Sequence, residues 1–236
     1  MSFLGDFHIH STFSDGKLTI PELVDLYGLN GFGVIAITDH LCEDESIIGK
    51  AAKILDRTLT RSSFPLYRAI LESEAKRAWD QYGMLLIPGF ELTQNHVSNR
   101  RSAHILALGV NEFLAAHHDA KILARTIRAQ GGLAVAAHPV WTHKNERQTF
   151  HLWDRRAELG QEFDAWEVAS GQHLFEEVRA SGLPVLASSD LHRREQFPSW
   201  KTQFNCSKDI GSVLNAIRKQ EIELVYYNEQ TEEPVA

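Results

Sequence analysis

His8 and His10 stand two residues apart, with a carboxylate close behind, in the stretch Asp6-Phe7-His8-Ile9-His10-Ser11-Thr12-Phe13-Ser14-Asp15-Gly16. Alternate side chains of a strand share a face. An extended Phe7–Ile9 therefore turns both imidazoles one way and Ile9 the other. Two nitrogen donors on one face, with a carboxylate nearby, are the nucleus of a metal site. The pair alone is a weak signal, because histidines at this spacing also arise on surfaces and in cores. The signal strengthens because similar chemistry follows later apolar runs. Val34-Ile35-Ala36-Ile37 leads into Thr38-Asp39-His40, and Leu85-Leu86-Ile87 into Pro88-Gly89-Phe90-Glu91. Val135-Ala136-Ala137 leads into His138-Pro139, and Val185-Leu186-Ala187 into Ser188-Ser189-Asp190-Leu191-His192.

Strands must bring these residues together. In a parallel barrel the strand ends meet on one rim, where the active sites of such folds lie. His104 instead begins an apolar run. It reaches the same rim beside Glu91 if the chain turns back after Glu91 and the next strand runs antiparallel. Nine candidates result: His8, His10, Asp15, His40, Glu91, His104, His138, Asp190 and His192. Six imidazoles and three carboxylates suit two or three divalent cations of the Mn, Fe or Zn type, with carboxylates as bridges. Two such ions ~3.5–4 Å apart can share a hydroxide nucleophile and clamp both oxygens of an in-line phosphoryl displacement.

The pattern predicts strands over Phe7–Ile9, Gly33–Ile37, Met84–Ile87, Ile105–Val110, Leu133–Ala137, Ala165–Val168 and Val185–Ala187, and a closing or edge strand over Glu221–Tyr227. Helices are expected over Ile20–Leu29 behind Thr19, over Glu112–Gln130 behind Asn111, and over Lys208–Lys219 behind Ser207. The stretch 41–83 reads as a helical segment able to lie over the site, with two helices broken near Ser62-Ser63-Phe64-Pro65. The 236 residues, 43% hydrophobic, suit one α/β domain over 1–227 followed by a polar tail over 228–236.

The net charge is −7, and no block of lysine and arginine stands out, so no extended nucleic-acid surface is expected. Cys42 and Cys206 form no Cys-x-x-Cys pair, which excludes zinc-finger and thioredoxin readings and suits a reducing compartment. No signal peptide or membrane-length apolar run is legible. The expectation is a cytoplasmic protein of open oligomeric state.

These motifs together resemble the polymerase and histidinol phosphatase (PHP) family: His8-x-His10 with Ser14-Asp15-Gly16, Thr38-Asp39-His40, Gly89-Phe90-Glu91, His104, Ala137-His138-Pro139 and Ser189-Asp190-Leu191-His192. They stand in the family's order and span most of the chain. The resemblance implies a distorted seven-stranded (β/α) TIM-like barrel, a trinuclear metal centre and phosphoesterase activity. It implies one metal on His8, His10, Glu91 and Asp190, and a second on Glu91, His104 and His138. Asp15, His40 and His192 would hold the third. Some members carry histidine where this chain has Asp15. Related activities include dephosphorylation of histidinol phosphate, hydrolysis of nucleotide phosphates, trimming of nucleic-acid ends and service beside a DNA polymerase. A stand-alone phosphatase acting on a phosphorylated small molecule or nucleotide fits this chain best; an end-trimming exonuclease, an amidohydrolase-like enzyme attacking carbon and a non-catalytic metal-stabilised partner domain are the alternatives.

Two residues are candidates for chemistry beyond the metals. His143 follows the His138-Pro139 motif and could protonate a leaving group, or be a plain loop histidine. Arg193 adjoins His192 and could grip phosphate with its planar guanidinium, ahead of Arg101, Arg194 and Lys17. Asp39 reads as an orienter of a ligand or loop, or as a helix cap. His117 and His118 fall inside an expected helix and read as solvated.

Overall fold

In the computed structural model, which describes residues 2–42, 58–140 and 149–228, one sheet sorts its alternate side chains into two cores. Its strands are β1 (Phe3–Asp6), β2 (Val34–Ile37), β3 (His40–Cys42), β4 (Leu85–Gln94), β5 (Ala103–Leu108) and β6 (Leu133–Ala136). They continue with β7 (Ala165–Ser170), β8 (His173–Leu174), β9 (Val185–Ser188), β10 (Ser199–Phe204) and β11 (Ile222–Tyr227). Ile35 and Ile37 of β2 pack in the layer under the helices, while Val34 and Ala36 join an inner cluster. Ile105 and Ala107 of β5 take the first side, and Leu106 and Leu108 the second. This is the period-2 alternation of strands with both faces buried.

The path through the sheet is β11-β10-β1-β2-β4-β5-β6-β7-β8, with β3 beside β4 and β9 beside β7. β1, β2 and β4 run parallel, as do β6, β7 and β9. β5 is antiparallel to both β4 and β6, as the position of His104 required. The sheet curls. A parallel bridge between Ile9 and Leu191 joins the segments that follow β1 and β9, and the Thr202 side chain bonds both the N–H and the carbonyl of Ala187. Val213, Leu214, Ala216 and Ile217 of the Ile210–Lys219 helix belong to the inner cluster.

Local signals explain the helices. Thr19 caps Ile20–Leu29 in a capping box with Glu22, with Pro21 in the first turn. Pro65 opens Phe64–Tyr82, and Gly83 ends it in the left-handed conformation at φ 59°. The first of the two helices expected in the 41–83 segment falls largely outside the described residues. No helix among the described residues is long and apolar enough to cross a membrane.

Several expectations need correction. The first regular strand is Phe3–Asp6, not Phe7–Ile9. Phe7 packs in the inner cluster and Ile9 in the outer one, so the alternation slips by one residue beyond Asp6. His8 and His10 are nonetheless both buried, on the opposite side from Ile9. The expected helix over Glu112–Gln130 begins only at Ala120, because Asp119, not Asn111, caps it through the Lys121 N–H. The Gln94 side chain holds the carbonyls of Ala116 and His118, which keeps His117 and His118 in a turn before the helix. The last helix starts at Ile210 behind Asp209, two residues later than the Ser207 cap implied. The short strands β3 and β8 and the polar strand β10 carry no apolar run that marks them in the sequence. Replacing the fully buried Leu106 by alanine should cost ~2–5 kcal/mol in denaturant unfolding, the usual range for opening a core cavity. A cost under about 1 kcal/mol would contradict this packing.

Candidate metal centre

The inner face of the sheet is apolar at one end and chelating at the other. Ile87 points into the inner cluster, and Gly89 and Glu91 follow at alternate positions of β4. Leu108 and Leu106 lead back to His104 on the neighbouring strand, and Leu133, Val135 and Ala137 lead up to His138. Ala165 leads to Glu167, and Leu186 to Ser188 and Asp190. His40 and Glu91 are direct partners across β3 and β4.

Nine side chains meet there, and they are the nine singled out by type and spacing. Four overlapping groups have donor atoms close enough to share an ion: His8, Glu91 and His138; His8, His10 and Asp190; His40, Glu91 and His104; and His10, Asp15, His40 and His192. Glu91 is fully buried at the centre. Its Oε1 lies 2.8 Å from His104 Nδ1, 3.4 Å from His8 Nε2 and 3.5 Å from His138 Nε2. Its Oε2 lies 2.5 Å from His40 Nδ1 and 3.8 Å from His10 Nε2. Asp190 Oδ1 stands 3.3 Å from the Nε2 atoms of both His8 and His10. Asp15 Oδ1 is 3.2 Å from His192 Nε2 and 3.5 Å from His40 Nε2.

These separations place the donors around common points instead of aligning them with one another. Nine buried side-chain nitrogens and oxygens among the described residues lack a hydrogen-bond partner, and seven belong to this cluster. They are His8 Nε2, both nitrogens of His10, Asp15 Oδ1, both oxygens of Glu91 and His104 Nδ1. Buried polar atoms are almost always satisfied, so such a concentration calls for an ion. Ligand bonds of about 2.0–2.2 Å at tetrahedral or octahedral angles leave neighbouring donors roughly 3.0–3.5 Å apart, which matches most of the distances here.

Surrounding groups hold the donors. Glu167, fully buried and not anticipated, takes His8 Nδ1 on Oε1 at 3.0 Å and the His138 N–H on Oε2 at 2.7 Å. The second bond steadies His138, whose φ of 23° is rare for a residue with a side chain. The only sequence signal for Glu167 is an acidic residue inside the apolar run Ala165–Val168. Asp39 caps no helix: its Oδ1 accepts from the Ser11 N–H and the Ser14 hydroxyl, and its Oδ2 from the Ser11 hydroxyl. It thereby ties down the loop that carries Asp15. Thr149 contacts His138 Nδ1 at 3.1 Å, and Asn95 contacts His104 Nε2 at 3.2 Å.

Burial and neighbouring charge together set the protonation of the cluster. Burial pushes the carboxyl of Glu91 up, but His104, His40 and His8 outweigh it and hold it well below the ordinary range. Asp190 behaves likewise under His8 and His192. Burial, with His192 and His40 alongside, lowers His10 to about 3, so that ring is a neutral donor at working pH. Burial also opposes protonation of His192, yet Asp190 and Asp15 raise it to about 9.

Arg193 is exposed, and its N–H, like that of His192, bonds the Gln196 side chain. His143 lies outside the described residues.

No protein-family model matches the sequence, and no curated protein does so significantly. Among solved structures, a two-domain protein from Bacteroides vulgatus containing a predicted PHP-like metal-dependent phosphoesterase aligns over 96% of this chain, with 23% identity and a TM-score of 0.67. This chain has a PHP-like fold. It spans 65% of the length of that two-domain structure. PsfC from Pseudomonas syringae aligns with this chain at a TM-score of 0.58 and 15% identity, over 96% of this chain and 92% of its own.

Two predictions follow from this geometry. Glu167→Gln should weaken Zn²⁺ binding about 10–100-fold in calorimetric titration, the usual effect of disturbing a carboxylate behind a ligand histidine; unchanged affinity would remove that role. His192 must lose a proton to bind a cation. Affinity should therefore rise, with proton release, from pH 6.5 toward about 9 and level off above it. The stability that proton gives the metal-free protein runs the other way, complete below 6.5 and lost as pH rises through about 9. Metal affinity flat across this window would refute the assignment.

Proposed function

We propose that this chain is a metal-dependent phosphoesterase of the PHP family, hydrolysing a small phosphomonoester or a nucleotide in the cytoplasm. The carrying observation is the set of seven unpartnered buried donor atoms converging from five side chains. We read the curled sheet and its helices as a distorted (β/α)7 TIM-like barrel in one domain over 1–227, with 228–236 as a polar tail and 41–83 as a segment that shapes access to the site.

His8, His10, Glu91 and Asp190 would hold one divalent ion, Glu91, His104 and His138 a second, and Asp15, His40 and His192 a third. Imidazole and carboxylate donors suit Mn, Fe or Zn. Bound ions supply Lewis-acid charge for the phosphoryl oxygens and bring the pKa of water toward neutrality. The protein's own part is to hold the donors fixed in place. Glu91, both of whose oxygens face imidazoles, would serve two of these ions. Glu167 orients His8, and Asp39 holds the loop before Asp15. Arg193, exposed next to His192, is the proposed grip on the phosphate, and His143 the proposed proton donor to the leaving alkoxide.

The test is phosphate release by chelated protein after Mn²⁺, Fe²⁺ or Zn²⁺ is restored, on p-nitrophenyl phosphate, a bis-ester, histidinol phosphate and nucleotides. Metal-restored release is expected, and the His8→Ala/His10→Ala variant should lose it. Full release by that variant would overturn the proposal. Arg193→Ala should raise KM about 10-fold, the scale of one lost charged hydrogen bond, with little change in kcat. An unchanged KM would remove Arg193 from the site.

A further inference from the structure

Asp6 and Lys201 are fully buried, and the chemistry proposed above uses neither. They face each other across the antiparallel pair of β1 and β10, one step beyond the Gly5–Thr202 register. Lys201 Nζ lies 2.7 Å from Asp6 Oδ2 and donates to the Ser199 hydroxyl at 2.6 Å. It sits 5.6 Å from the Phe197 ring centre and 5.9 Å from that of Tyr27. The Tyr27 hydroxyl donates to the same Asp6 oxygen at 2.7 Å. A buried ion pair is seldom more stabilising than an apolar pair of similar volume, so its presence at two core positions calls for another reason.

The other Asp6 oxygen supplies one. Oδ1 accepts the Ser189 N–H at 3.0 Å, and the Ser189 hydroxyl donates to the carbonyl of His8 at 3.3 Å. The next residue, Asp190, has a φ of 51°, a left-handed conformation that a residue with a side chain holds only when its surroundings enforce it. That turn aims the Asp190 carboxylate at His8 and His10. Leu191 then bonds back to the first segment at both ends, its N–H to His8 O at 3.1 Å and its carbonyl from the His10 N–H at 2.8 Å. One carboxylate oxygen thus joins the two segments that carry four of the converging side chains, His8, His10, Asp190 and His192, and Lys201 holds that carboxylate in place.

We propose that Asp6, fixed by Lys201, is a positioning residue of the metal centre, clamping the Ser189 amide so that the strained turn presents Asp190 to His8 and His10. This rests on the reading of the site as a metal centre. Two double variants separate positioning from simple stability. Asp6→Asn/Lys201→Met removes both charges but keeps an oxygen for the Ser189 amide. Asp6→Leu/Lys201→Met removes both charges and the acceptor. Each is purified, stripped with chelator, checked by thermal melting and titrated with Zn²⁺ by calorimetry. The asparagine variant should bind within about 3-fold of wild type, and the leucine variant about 10–100-fold more weakly while folded at the assay temperature. Should the leucine variant fail to fold, Asp6→Ser/Lys201→Met takes its place, because serine is too short to reach the amide. Wild-type Zn²⁺ binding by the folded leucine or serine variant would overturn the inference alone, and so would equal weakening of the acceptor-keeping and acceptor-lacking variants. Absence of Zn²⁺ uptake by the wild type would overturn the metal-centre reading and this inference with it.

Discussion

The structure is organised around the burial of a carboxylate, Glu91, among imidazoles. A carboxylate with no exposure to water is strongly unfavourable unless opposite charge and well-placed donors surround it. Here His8, His40, His104 and His138 lie within 3.5 Å of its two oxygens. The imidazoles in turn need carboxylates, and Asp190 and Asp15 stand on the far side of the group. The cluster is therefore a set of mutually dependent charges, short of hydrogen bonds.

A second tier of carboxylates makes this arrangement possible. Glu167 grips the His138 N–H, Asp39 the Ser11 N–H and Asp6 the Ser189 N–H, each from a fully buried position. All three act on the backbone just beyond a strand, where regular sheet bonding stops and the chain turns to carry a donor. A charged acceptor on a backbone N–H makes a short, strong bond, and in a dry interior it leaves the loop few alternatives. The positive φ values at His138 and Asp190 occur at or beside residues held in this way. Local strain is thus balanced by nearby charge.

The sheet provides the platform through its two-sided alternation. At one end its inner face carries Phe3, Phe7, Leu106, Leu108 and Leu133, packed against the Ile210–Lys219 helix; at the other the same face carries Glu91, His104 and Glu167. The antiparallel insertion of β5 turns His104, which begins its strand's apolar run, toward Glu91. Rigidity of this kind is what a multi-metal site needs, because donors on paired strands cannot drift by much.

The nine converging residues were legible in the sequence because their types are costly to bury and they recur beside apolar runs, a pattern that chance and surface exposure seldom make. The apolar runs of β2, β4, β5, β6, β7 and β9, the Thr19 cap and the antiparallel return at His104 were legible for the same local reasons. Three things were decided only by tertiary structure. Glu167 looked like a single acidic interruption of a strand, and Asp6 and Lys201 like ordinary charges in polar contexts, because their partners lie 29 to 195 residues away. The polar strand β10 is buried only because Lys201 finds Asp6 and Thr202 finds Ala187. The late start of the Ala120–Ala129 helix depends on Gln94, a distant residue that competes for the carbonyls of the preceding turn. Local pattern determines which residues are able to bind and which segments are able to pair. Whether a buried charge is tolerated, and what it holds in place, depends on partners that only the folded chain brings within reach.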